Sequence, residues 1–258
     1  MLKRGCVVHN QLKNSLISGL IFIASGISAA ADWSKTSVLL LDGAGYKEVA
    51  DDSRYNTQVL TLEHVSGWKY GSNFFFVDAT RPNRSTTELY GEFSPSLSFG
   101  KITGKDFALG IVKDVSLTGT WEVGQNTNAK LFGLGFDIDI PNMPVATVNV
   151  YQRQSESTFF PGKIGNGQQI TLVWMTPFSL GSTQWVFDGF LDYATAEKEV
   201  GKEENIVSSP RLMMDAGALF GGLSKTVYVG MEYSYWKSKY GVKGVDESVP
   251  QLALQWTF

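Results

Sequence analysis

From about residue 36 onward the chain reads at a period of two. Phe132, Leu134, Phe136, Ile138 and Ile140 alternate with Gly133, Gly135, Asp137 and Asp139. Val115, Leu117, Trp121 and Val123 alternate with Ser116, Thr118, Thr120 and Glu122. Val227, Val229, Met231, Tyr233 and Tyr235 alternate with Thr226, Tyr228, Gly230, Glu232 and Ser234. The chain ends with Leu252, Leu254, Trp256 and Phe258 on one side and Gln251, Ala253, Gln255 and Thr257 on the other. Side chains two apart share one face of a strand, so this pattern predicts half-apolar β-strands. No long stripe at helical spacing interrupts it. Twelve candidate strands follow, at 36–46, 55–66, 69–79, 86–98, 113–123, 130–140, 143–154, 168–177, 183–194, 211–220, 226–236 and 248–258.

Most of these strands have about ten residues, the length that crosses a bilayer when tilted. Alternation alone fits two folds. A sandwich buries its apolar faces against each other, whereas a membrane barrel turns them to lipid and lines a wet interior with the polar ones. Three features favour the barrel. The tight turns at Pro141–Pro144 and Gly221–Lys225 fall on one side, and the long polar connections 155–167, 195–210 and 237–247 fall on the other. The connection 99–112 breaks this rule, being long, partly apolar and on the short-turn side. Aromatics gather near strand ends (Trp68, Tyr70, Trp121, Trp174, Trp185, Trp236, Trp256), as an interfacial girdle needs. The last residue is Phe258 on an alternating strand, the ending that outer-membrane barrels commonly present to their assembly machinery.

The first residues read differently. Lys3, Arg4 and Lys13 give a positive start without an acid, Leu16–Ser28 is apolar, and Ser28-Ala-Ala-Ala31 offers small residues for cleavage. This is the layout of a signal peptide over residues 1–31, leaving 32–258 as the barrel of a Gram-negative outer membrane. The apolar stretch is short of the ~20 residues of a spanning helix. Cleavage removes three bases and the one cysteine, Cys6, so the exported chain is more acidic than the −3 of all 258 residues. It then carries no cysteine to mispair in an oxidising compartment. Acids outnumber bases 25 to 22, which argues against nucleic acid as a partner. With charged residues at 18% and hydrophobic ones at 43%, disorder is excluded.

Catalytic and metal chemistry finds little support. His64 is the one histidine beyond the leader, and there is no G-x-S-x-G, Walker or Rossmann pattern. His- or Cys-built metal sites lack ligands, and no cofactor is implied. Asp137-x-Asp139 is broken by Pro141 before it could become a calcium loop. The stretch Glu197–Glu204, with Lys198 and Lys202, reads as a solvated outer loop, or alternatively as a site bridging cations or lipopolysaccharide.

The segment Leu131-Phe-Gly-Leu-Gly-Phe-Asp-Ile-Asp-Ile140, followed by Pro-Asn-Met-Pro and Val145-Ala-Thr-Val-Asn-Val-Tyr151, resembles the nucleoside-specific channel-forming (Tsx-type) outer-membrane proteins. Glu88–Ser98, Gly189–Tyr193 and the terminal Phe258 are similar to further parts of that family. The resemblance implies a monomeric twelve-stranded barrel with a narrow pore for nucleosides, whose members also serve as receptors for phages and colicins.

By parity, the inward set comprises Glu63, Glu88, Tyr90, Glu92, Ser94, Thr120 and Glu122, then Asp137, Asp139, Asn149, Tyr151 and Arg153, then Asp188, Asp192, Tyr228, Glu232 and Trp236. Carboxylates outnumber Arg153, so this interior repels phosphate and favours neutral or cationic solutes. Tyr90, Tyr151, Tyr228 and Trp236 are candidates to stack on bases, at about 1–3 kcal/mol per contact. The expected function is passive passage of nucleosides or similar small neutral polar solutes. Three other readings stand beside it. In one, acids and Arg153 pair across the lumen and brace a closed barrel. In another, the barrel is a non-conducting surface receptor. In the third, it is an outer-membrane hydrolase using His64.

Overall fold

The computed structural model describes residues 31–81 and 86–258; the expected leader lies outside the described residues except for Ala31. The strands are β1 (Trp33–Lys47), β2 (Arg54–Trp68), β3 (Gly71–Thr80), β4 (Glu88–Ser98), β5 (Val112–Gly124), β6 (Thr127–Ile138) and β7 (Val145–Ser157). They continue as β8 (Gly165–Leu180), β9 (Thr183–Ala194), β10 (Asn205–Ser208), β11 (Arg211–Asp215), β12 (Val227–Lys237) and β13 (Glu247–Thr257). One short helix, α1 (Phe99–Thr103), follows β4.

Consecutive strands pair antiparallel around the sheet, and β1 also pairs with β13 from Ser37↔Thr257 to Gly43↔Gln251. The sheet therefore closes. Both β10 and β11 lie between β9 and β12, so they are two halves of one stave and the barrel has 12 staves. Closure satisfies the backbone hydrogen bonds that hydrocarbon leaves no water to satisfy.

The split stave corrects the expected strand at 211–220. Pro210 has no N–H to donate, which breaks the ladder between β10 and β11. Residues Ala216–Phe220 form a 3₁₀ turn instead. Asp215 stops the strand there, its carboxylate accepting from the Ala218 and Lys225 N–H groups (3.1 and 2.9 Å) and the Ser224 hydroxyl (2.9 Å). Asn205–Ser208, which the sequence pattern places in the 195–210 connection, form the other half of the stave.

Face assignment follows the period of two. Leu40, Leu60, Phe132, Val150, Met231, Leu252 and Leu254 point outward and are exposed to the surroundings. Ser37, Leu39, Leu41, Thr61, Glu122, Arg153, Gln169, Gln251 and Gln255 point inward and are buried. So large an unbroken apolar belt is untenable in water and is what a bilayer requires. Trp121 and Trp256 stand on the outer face near the strand ends. Trp236 does not join them; it faces inward and packs on Tyr240, with ring centroids 4.6 Å apart.

The start of β1 and the end of β13 share one mouth, here the terminal mouth; the opposite one is the far mouth. The connections 158–164, 195–204 and 238–246 all lie at the far mouth, as expected, though they are shorter than expected because the strands run further. The length asymmetry is nevertheless incomplete. The far mouth also has the tight turn 125–126, and the terminal mouth carries both 99–111, with α1, and 216–226.

Leu254 sits mid-belt, paired with Leu40 and Val229. Leu254→Arg is expected to cost about 2–4 kcal/mol of barrel stability, read as a shifted urea midpoint for the change in gel mobility between folded and heat-denatured protein. An unshifted midpoint would contradict the lipid-facing assignment.

Candidate functional site

The barrel interior holds the polar half of the alternation, and two arginines organise it. Arg153 on β7 reaches past β6 to fork onto Glu122 of β5, with Nη2 donating to Oε2 at 2.8 Å and Nη1 donating to Oε1. Nη1 also donates to Gln169 Oε1 on β8 at 2.8 Å. The intervening inward residues of β6 are Ala129, Leu131, Gly133 and Gly135. Ala129, Gly133 and Gly135 are small, and side chains from β5 and β7 meet over this strand. A Cβ at Gly135 would stand 2.6 Å from Asn149 Oδ1 and 2.7 Å from Ser116 Oγ. This is a physical reason for the second glycine of the Gly-Leu-Gly motif: Gly135 leaves room for Asn149 and Ser116 above the strand, while a Cβ at Gly133 would run into the backbone of β7 at Val150.

Arg211 on β11 does more than pair with its neighbour. Its Nε and Nη2 donate to Asp188 on β9 (2.9 and 3.2 Å), and its Nη1 and Nη2 donate to Glu63 on β2 (3.0 and 3.2 Å). β12, β13 and β1 separate β11 from β2 along the wall, so this contact crosses the lumen as a chord. Beside it, Gln251 donates to Glu232 at 3.0 Å and accepts from the Tyr46 hydroxyl. Thr61 donates to Asp78 at 2.6 Å, and Thr171 to Asp192 at 2.5 Å. Part of the interior is apolar: Leu41, Val59, Met213, Tyr228 and Ala253 pack as one cluster.

The candidate residues fall as follows. Glu88, Tyr90 and Glu92 take the inward positions of β4, and the Tyr90 hydroxyl donates to Glu92 at 2.5 Å. Ser94 and Thr120 meet at 2.9 Å. Asn149 faces inward opposite Thr171. Tyr151 faces inward but is 4% exposed, packed on Ala129 and Leu131 with its hydroxyl 3.3 Å from Thr118. Tyr228 is likewise inward and closed into the apolar cluster. These two rings have no free face for a solute.

Asp137 keeps the inward register at the terminal mouth, accepting from Thr147 at 3.2 Å. Asp139 lies just beyond the strand. β6 ends at Ile138, and the Asp139 N–H turns to bond the Ile111 carbonyl at 2.7 Å. His64 lies on the outer face, stacked on Phe75 at 5.1 Å and 2.8 Å from the Thr36 hydroxyl. It has no access to the lumen carboxylates.

Several interior groups were not legible in advance. Phe74 and Phe76 face inward, Phe76 standing 5.9 Å from Tyr90, but three consecutive phenylalanines carry no parity signal. Tyr46 faces inward because a bulge at Gly45, with φ of 94°, adds one residue to β1 and flips it across. Arg211 was hidden by its place at the start of an expected strand beside Pro210. Lys202, Glu197 and Lys239 come from far-mouth connections with no periodic pattern. Glu197 and Lys202 are buried and ion-paired at 2.9 Å, so the acidic stretch 197–204 is not simply a solvated loop. Burial pulls the Lys202 ammonium below its usual pKa, and Glu197 opposes that shift.

Residues 30–258 match the family model described as "Nucleoside-specific channel-forming protein, Tsx". Among curated proteins, outer membrane protein OmpK of Vibrio parahaemolyticus is 27% identical over 166 residues, covering 62% of this chain and 58% of OmpK. OmpK of the serotype O3:K6 strain is 26% identical over 172 residues, covering 62% and 60%. The aligned part thus spans about three-fifths of these relatives. Among solved structures, the KdgM porin superposes with a TM-score of 0.48 at 11% identity, over 86% of this chain and 99% of KdgM. The NanC porin gives 0.46 at 11%, over 86% and 98%.

The Arg211 side chain is 15% exposed and its partners 20–22%. Arg211→Met leaves two carboxylates facing each other without a cation and is expected to cost about 3 kcal/mol, the lower end of the range for breaking a buried pair. Adding Glu63→Gln and Asp188→Asn should recover most of that loss in the same urea titration. A triple variant no more stable than Arg211→Met would mean the chord is not what the stability depends on.

Proposed function

The chain belongs to the nucleoside-specific channel-forming (Tsx) family of the bacterial outer membrane, and on that premise we propose that it is a channel for passive uptake of nucleosides or similar small neutral polar solutes. The observation that carries this reading is the charge of the interior. Glu63, Asp78, Glu88, Glu92, Glu122, Asp188, Asp192 and Glu232 face inward from the strands, against Arg153 and Arg211 deep in the lumen. A low-dielectric wall focuses the field of such an excess along the axis. Phosphate is repelled, while a nucleoside carries no charge and offers hydroxyl and amine donors to carboxylates. Tyr90 with Phe76, and Trp236 with Tyr240, supply aromatic surface toward which a base can stack.

A second reading, a non-conducting surface receptor, is favoured by the Arg211 chord and the apolar cluster around Met213, which fill part of the cross-section. Receptor roles for phage or colicin, and contacts with lipopolysaccharide, belong with that reading. A monomer is expected under either.

Planar-bilayer recordings separate the two. Purified protein is expected to give discrete conductance steps that millimolar-range nucleoside reduces and the matching nucleoside monophosphate does not. Absence of steps, together with absence of nucleoside entry into proteoliposomes, would leave the receptor reading. Block by monophosphate equal to that by nucleoside would overturn the electrostatic argument.

A further inference from the structure

The far-mouth connection 195–204 does not extend away from the barrel. Glu197 is 2% exposed, Val200 6% and Lys202 7%. The Glu197 carboxylate accepts from Ser155 Oγ on β7 and pairs with Lys202 Nζ at 2.9 Å. Lys202 Nζ donates to the same hydroxyl at 2.6 Å. Arg153 Nε lies 3.9 Å from Glu197, so this contact adjoins the Arg153–Glu122 fork. The wall is shaped to receive it. A Cβ on Gly165, opposite Ser155 at the start of β8, would lie 1.8 Å from Glu197 Oε2. Glu199 is tied to the wall as well, accepting from the Asn166 N–H at 2.5 Å.

A second connection packs behind the first. The Glu203 N–H donates to the Gly241 carbonyl at 2.9 Å, and a Cβ on Gly241 would meet the Lys202 side chain at 2.9 Å. Tyr240 stacks on Phe159 of the 158–164 connection at 5.1 Å. Three connections thus fold together over one mouth, with Glu197 as the point where they meet the wall.

We propose that 195–204 is an inward-folded selectivity loop, latched into the far mouth by Glu197, Lys202 and Ser155, and that it sets the size limit for solutes. This rests on the channel reading. The loop narrows the entrance, and its buried carboxylate and ammonium neutralise each other there, leaving the acidic excess deeper inside to select by charge. Loss of the latch lets the loop swing out and widens the entrance without altering the wall.

Two substitutions in the full-length protein test this by different routes. Glu197→Ala removes the carboxylate and strands Lys202; Gly165→Ala leaves every charge in place and evicts Glu197 sterically. Each is expected to speed hydrogen exchange at the Val200, Gly201 and Lys202 amides, which bond the Glu197 carbonyl at 3.1–3.2 Å, by about two orders of magnitude, the factor implied by breaking a buried ion pair. Each is also expected to raise single-channel conductance and to admit neutral oligosaccharides that wild type excludes in liposome swelling. Retained heat-dependent gel mobility identifies variants that fold, and either one suffices. Faster exchange with an unchanged size limit overturns the proposal, as does unchanged exchange in a folded variant. A conductance change in Glu197→Ala, with none in a Gly165→Ala variant whose loop is released, shows a charge effect instead and also overturns it. Wild-type protein that conducts nothing overturns the channel reading and the selectivity role with it, while the exchange measurement still reports whether the latch holds.

Discussion

A β-strand in hydrocarbon has no water to bond its peptide groups, and every other feature of this molecule follows from that. The sheet has to close, and it does so where β1 meets β13. Once it has closed, each residue on a strand has two possible surroundings, lipid or lumen, and parity decides between them. Leucine, phenylalanine and valine take the lipid side at no desolvation cost. The inward side chains then face one another across a confined space, where an unpaired polar group is expensive. Arg153 and Arg211 are the answer to that second problem, each gathering carboxyl or amide groups from more than one stave.

The two arginines solve it differently. Arg153 works locally: it reaches over β6, which presents Ala129 and Leu131 inward there, and so joins β5 to β7. Arg211 works across the diameter, tying β2 to β9 and β11. A chord of this kind resists ovalisation of the barrel at the stave that Pro210 interrupts. The interior is therefore braced at two places, once along the wall and once across it.

Strand number, the closed antiparallel fold and the inward face of most staves were legible in the residues, because alternation is local and repeats every two positions. Legibility failed where geometry is not local. The Gly45 bulge reverses parity for Tyr46 without altering composition. Pro210 reads as the end of a loop although the stave continues through it. Phe74-Phe75-Phe76 looks the same in either register. The partners of Arg211 depend on which staves face each other after closure, and no spacing in the chain encodes that. The inward fold of 195–204 is likewise invisible: Glu197 and Lys202 are ordinary loop residues until Gly165 and Ser155 come together opposite them. Tyr151 and Tyr228 show the reverse error, since inward parity does not imply an accessible ring.

Hydrogen-bonding capacity sharpens what the interior offers a solute. The Arg211 nitrogens are all engaged with carboxylates, and both terminal nitrogens of Arg153 are engaged with Glu122 and Gln169. Apart from Arg153 Nε, these guanidinium nitrogens are thus already engaged with the protein. An ionised carboxylate has room for about four acceptor bonds, more than the single hydroxyl or amide drawn from Tyr90 to Glu92, from Thr61 to Asp78 or from Gln251 to Glu232. Where these carboxyls are ionised, the capacity left over is acceptor capacity. On the proposed channel reading, a crossing molecule would bring donors of its own, which sugar hydroxyls and exocyclic amines do and a phosphate dianion does not. On that reading charge and hydrogen bonding would select in the same direction, and neither requires a dedicated binding residue.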